Sequence, residues 1–204
     1  MSHLKKYINQ MTNPELIGLA KNRFLDTEDQ VAIAKHHYRR AHNYLIENSS
    51  LSRAARDVLW GYKGYARKCE LIAYGHCIEE QDKYHELYDN YGDTMRSRSP
   101  WRMSRVFLQH NRWYSHGGHR LSINTEQTGT PASIIEDIYK RDVLPMRNNP
   151  ADRYGSYYYP SARYMEQAIV KNPNTPLELV VQISASSKDD QTRAMALKTM
   201  ASRS

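Results

Sequence analysis

Two groups of side chains carry donor atoms suited to a metal ion. Cys69, His76, Cys77 and His85 form one, and His110, His116 and His119 the other. Zinc sites draw their ligands from close pairs, and neither group has that paired spacing. Cys69 and His76 stand two helical turns apart, too far to share one ion readily. No metal ligand is assigned. Nucleophilic catalysis fares no better, because no serine or cysteine lies in a recognisable elbow. Gly117-Gly118 lacks the length and the lysine of a phosphate-binding loop. Nine histidines and 16 tyrosines offer acid–base groups, but no pattern selects any of them. The chain reads as non-catalytic, with no catalytic residue and no cofactor.

The remaining chemistry is recognition of anions. Residues 94–125 carry six arginines and no acid. Arg96, Arg98, Trp101, Arg102, Arg105, Arg112, Trp113, Tyr114 and Arg120 make up this stretch, and arginine supplies every charge in it. The planar guanidinium matches carboxylates and phosphates and stacks on aromatic rings. These nine residues are the expected partner-binding set, with Trp101, Trp113 and Tyr114 as buried anchors. A second set comes from residues 35–68, which hold eight bases and two acids. Within it, Arg53 with Arg56 and Lys63 with Arg67 fall at helical spacing, so each pair shares a face despite like charge. Tyr157, Tyr158 and Tyr159 add aromatic area in a stretch with no helical pattern.

Charge is segregated only in the middle of the chain. Residues 70–93 hold seven acids and one base, between the two basic blocks. Ile78, Leu87 and the tyrosines of that acidic block could share one side of an amphipathic helix. The three blocks either neutralise one another in the fold or present charge to a partner. The overall excess of +7 suits an anionic partner.

The elements that must position these residues are announced by a phrase, Asn172-Pro173-Asn174-Thr175-Pro176-Leu177-Glu178-Leu179. Its prolines forbid a helix that continues through them. Thr175 reads as an N-cap with Pro176 in the first helical position and Glu178 in the first turn. Leu179, Val180 and Ile183 follow as one apolar stripe. Thr12-Asn13-Pro14-Glu15-Leu16 repeats the cap, the proline and the acid. Thr130 to Ile138 aligns onto Thr175 to Ile183 without a gap, and Asp142 and Arg147 follow it as Asp189 and Arg193 follow the last copy. Fainter copies are Asn48-Ser49-Ser50-Leu51-Ser52 and Asn149-Pro150, the latter 23 residues before Asn172-Pro173.

A capped apolar helix recurring at such a period marks a helical solenoid. The pattern resembles the leucine-rich repeat variant family, whose units are similar in shape to HEAT and armadillo repeats. The likeness is close over 172–197, fair over 12–35 and 130–147 and thin elsewhere, and spans about half the chain. Some members of that family carry an iron–sulfur cluster on a cysteine-rich segment. With only Cys69 and Cys77 here, that property does not transfer.

The expected fold is therefore mostly α, an irregular right-handed helical-repeat (solenoid-like) single domain over 1–204. Repeat-like units fall near 12–35, 48–74, 130–150 and 172–197, and a divergent basic and aromatic insertion covers about 94–129. No apolar run reaches membrane-spanning length and no apolar signal segment opens the chain, so a cytoplasmic protein with reduced thiols is expected. The expected function is docking of a macromolecular partner, a protein with an acidic surface, as a phage accessory or inhibitor factor would do. The alternative is a nucleic-acid binder that holds DNA or RNA phosphates with the same residues. Oligomeric state is left open.

Overall fold

The computed structural model describes residues 4–98, 104–108, 129–148 and 162–204. These residues are mostly helical, and no strand occurs among them. The sequence suggests one domain; the chain's internal packing forms two compact units, Met1–His76 and Cys77–Ser204.

The first unit opens with two short turns, Leu4–Lys6 and Ile8–Gln10. Five helices follow: α1 (Asn13–Ala20), α2 (Thr27–Lys35), α3 (Arg39–Ile46), α4 (Arg53–Trp60) and α5 (Ala66–Ala73). Three of their starts are spelled out locally. The Glu15 carboxylate accepts from the Thr12 N–H at 2.8 Å and the Thr12 hydroxyl at 2.7 Å, closing the start of α1. Asp26 caps α2 by accepting from the Asp29 N–H, and Ser52 caps α4 by accepting from the Ala55 N–H. By contrast, Tyr38 and Tyr65 precede α3 and α5, and no side chain caps either helix.

Packing places α1 against α3, α3 against α5, and α2 against α4. Leu16, Ile33, Ala34, Ala41, Leu45, Leu59, Leu71 and Ile72 fill the space between them. One end of this unit is fastened by polar side chains. Asn48 Nδ2 donates to the Asn22 carbonyl at 2.9 Å, and the Ser50 hydroxyl donates to the Arg23 carbonyl at 2.7 Å. Buried Gln30 bridges both loops, donating to the Leu25 and Ser50 carbonyls and accepting from the Ser52 N–H. Each bond satisfies a backbone group that burial would otherwise leave unpaired.

The second unit contains α6 (Gln81–Arg98), a wide turn at Ser104–Leu108 and α7 (Ala132–Ile138). A wide π-type turn, Tyr139–Val143, carries α7 into α8 (Leu144–Asn148), and α9 (Ala162–Lys171), α10 (Leu177–Ser186) and α11 (Asp190–Arg203) complete the unit. Of the acidic block, the part from Gln81 onward lies in α6, whose buried side holds Tyr84, Leu87 and Met95; Ile78 precedes the helix, and Tyr88 and Tyr91 are half-buried. Helix α11 packs on α10 and α9.

The gapless alignment of 130–138 on 175–183 has a physical counterpart. Thr130 and Thr175 are both buried, and each hydroxyl donates to a carbonyl of an earlier segment, Phe107 O at 2.6 Å and Ile169 O at 2.5 Å. Pro131 and Pro176 then occupy the N-cap, and each carbonyl accepts from two N–H groups of the first turn. Ile134, Ile135 and Ile138 are buried, as are Leu179, Val180 and Ile183. Two details differ from expectation. Thr175 is not the N-cap: its hydroxyl turns back to the preceding helix, and the cap moves on to Pro176. Asp142 and Asp189 are not equivalent either. Asp189 caps α11 through the Thr192 N–H, whereas Asp142 binds an arginine.

Candidate anion-binding site

Among the expected partner-binding residues, the described structure assigns a task to Arg96. Only 14% of its side chain is exposed. Its Nε donates to both oxygens of Asp142 at 3.0 and 3.1 Å, and its terminal nitrogens reach Asp93 at 3.2 Å and Asp137 at 3.3 Å. Tyr88 joins the cluster, accepting from Arg96 and donating to Asp137. Burial alone would lower the arginine's pKa, but the Asp142 carboxylate and Tyr88 hold it well above its ordinary value. At Asp142 burial outweighs the arginine's pull and keeps the carboxyl above the usual range. Arg96 therefore ties α6 to the turn after α7, and its guanidinium is committed inside the unit. The Arg98 and Arg105 side chains, with Trp101, Arg102, Arg112, Trp113, Tyr114 and Arg120, lie outside the described residues, as do Tyr157, Tyr158 and Tyr159.

In the first unit, Arg53 and Lys63 are exposed. Arg56 is mostly covered and donates to the His76 carbonyl. Arg67 stands apart because it is held yet still presents charge. Its Nε donates to His42 Nδ1 at 3.1 Å, and its guanidinium carbon lies 4.3 Å from the centre of the Tyr62 ring. Tyr62 is itself fixed, its hydroxyl donating to the Ala34 carbonyl at 2.9 Å. His42 is 1% exposed, and its Nε2 donates to the His36 carbonyl at 2.8 Å. That bond sets the tautomer and leaves Nδ1 as an acceptor. Burial pushes the His42 pKa down to about 4, against the pull of the His36 carbonyl, so the ring is neutral near neutral pH.

Arg39, the first residue of α3, stands one helical turn before His42, the residue that Arg67 bonds. Burial, and then the Arg39 charge, lower the Arg67 pKa below its ordinary value. Among the described residues neither arginine has a carboxylate within ion-pair distance. Like charge is concentrated where α3 and α5 begin, and both helix starts lack a side-chain cap. A helix N-terminus already carries about half a positive charge. Gly64, at a φ of 87°, supplies the left-handed residue that brings the chain from Tyr62 into α5.

The sequence marks Arg67 as a secondary contact but selects neither Arg39 nor the residues that hold Arg67. A signal for His42 exists: it precedes Leu45 and Ile46 by three and four residues, the apolar side of α3. No protein-family model, curated protein or solved structure matches this chain.

Proposed function

We propose that this protein is a non-catalytic helical-repeat scaffold that docks a macromolecule with an acidic surface, a protein rather than a nucleic acid. In the first unit the contact would be made where α3 and α5 begin, by Arg39, Arg67 and the exposed Lys63. A separate contact would come from the Arg and aromatic residues of 96–120, apart from Arg96. One observation carries the proposal: Arg67 is oriented by His42 and Tyr62, one helical turn from Arg39, and among the described residues no carboxylate neutralises either arginine. Orienting a charge while leaving it unpaired raises self-repulsion in the free protein and favours an incoming anion. The helical-repeat reading draws support from the matched starts of α7 and α10 and from the side-by-side packing of alternate helices in the first unit.

Titration with a polyglutamate peptide and with a mixed-sequence single-stranded oligonucleotide tests this. Saturable binding of the peptide that is lost in Arg39→Glu/Arg67→Glu supports the acidic-protein reading. Tighter and steeply salt-dependent binding of the oligonucleotide, lost in the same variant, selects nucleic acid instead. Unchanged binding of both ligands in the variant removes this face from consideration.

A further inference from the structure

We infer that Arg39 and Arg67 form a binding site for a phosphomonoester group on a side chain of the partner protein. This rests on the docking function proposed above and narrows what the first unit recognises. The argument starts from which nitrogens are available. Arg67 has spent its Nε on His42, so it can offer an approaching ligand only its two terminal nitrogens, end-on. Tyr62 lies against its guanidinium and restricts how that group can swing. Arg39 is exposed and stands one helical turn before His42 on α3, so it brings a second, independent fork to the side of α3 that Arg67 bonds. One carboxylate can accept from two arginines, as Asp93 does from Arg96 and Arg141, but it brings a single negative charge to two positive ones. A phosphomonoester presents three terminal oxygens and between about −1.5 and −2 of charge near neutral pH. A phosphodiester, the unit of a nucleic-acid backbone, presents two free oxygens and a single charge. The doubled positive charge therefore favours the monoester over both a carboxylate and a diester.

His42 and Tyr62 act here as positioning residues. His42 fixes the plane of Arg67 through a hydrogen bond that only a neutral ring can accept. Lysine at position 67 would keep the charge but could neither accept this orientation nor offer two parallel donors.

The test uses the full chain and follows by NMR, at constant ionic strength, the backbone amides of 38–46 and 64–70 in parent and variants, with the Arg67 Nε–H as a second probe wherever Arg67 is present. The probes are inorganic phosphate, a phosphoserine peptide, its unphosphorylated form, dimethyl phosphate and acetate. Expected are saturable shifts with phosphate and with the phosphoserine peptide, the peptide binding more tightly. Acetate, dimethyl phosphate and the unphosphorylated peptide should bind at least about tenfold more weakly, a discrimination of roughly one fork's worth. Arg67→Lys should lose about tenfold in affinity for the phosphopeptide, as should His42→Leu, with His42→Asn restoring part because its amide oxygen sits near the place of Nδ1. Should His42→Leu fail to fold, Arg67→Lys, half-exposed and outside the core, decides alone. Equal affinity for acetate and phosphate overturns the inference, as does an Arg67→Lys protein that binds like the parent. Tighter binding of free phosphate than of the peptide also overturns it, by assigning the site to a small ion. If phosphate fails while polyglutamate binding still depends on Arg39 and Arg67, this inference falls and the docking function stands. If both fail, the docking function falls with it.

Discussion

Arg96 and Arg67 carry the same charge and occupy opposite situations. Arg96 is enclosed with Asp142, which is 9% exposed, so removing it strands a buried carboxylate. Arg96→Met should lower the stability of the protein by about 3 kcal/mol in urea denaturation, and Arg96→Met/Asp142→Leu should cost less than the single change. Arg67→Ala, by contrast, should cost only about 1 kcal/mol, the loss of the donor to His42 Nδ1. His42 makes a prediction in pH. Its folded pKa of about 4 lies below the unfolded value near 6.5, so between these the unfolded chain binds more protons. Stability should therefore fall as pH drops from about 6.5 to 4, by about 2 kcal/mol after screening. The difference between the parent and His42→Asn in denaturation from pH 7 to 4 isolates that contribution. Gly129 is constrained differently: a Cβ there would come within 2.1 Å of the Ile78 carbonyl oxygen, which is backbone and cannot swing away. Gly129→Ala should cost about 1–3 kcal/mol in the same assay.

At the scale of elements, the caps explain how much the sequence reveals. Thr12, Asp26, Ser52 and Asp189 are short-range signals, each acting within three residues of itself. Asp189→Ala should lower the melting temperature through loss of about 1 kcal/mol, since Asp189 satisfies both the Thr192 N–H and its hydroxyl. Apolar spacing likewise reveals the inner faces of α7 and α10. Long-range fastening leaves no such trace. Asp142 meets Arg96 across 46 residues, and nothing in spacing or charge distinguishes Arg96 from the arginines around it. Thr175 misled for a related reason. Threonine before proline is a good cap by composition, and only the nearness of the Ile169 carbonyl turns its hydroxyl the other way. Helical class and stripe positions were legible, while the choice of which arginine faces inward depended on tertiary partners.

For the whole molecule, the two basic blocks belong to different units, residues 35–68 to the first and 94–125 to the second. Their shares of binding can be separated by charge reversal in each. Arg39→Glu/Arg67→Glu and Arg102→Glu/Arg112→Glu should each weaken polyglutamate binding. The combined variant should weaken it by about the product of the two effects if the sites act independently. Among the described residues no helix is long and apolar enough to cross a membrane.

The bond from the Thr130 hydroxyl to the Phe107 carbonyl, 2.6 Å long and buried, joins the start of α7 to the wide turn at Ser104–Leu108. Asn174 holds the same place from the other side, donating to the Thr130 carbonyl at 3.1 Å. Thr130 is thus held on both sides, its hydroxyl by the segment before α7 and its carbonyl by the loop before α10, so one small residue couples elements that lie 44 positions apart in the sequence.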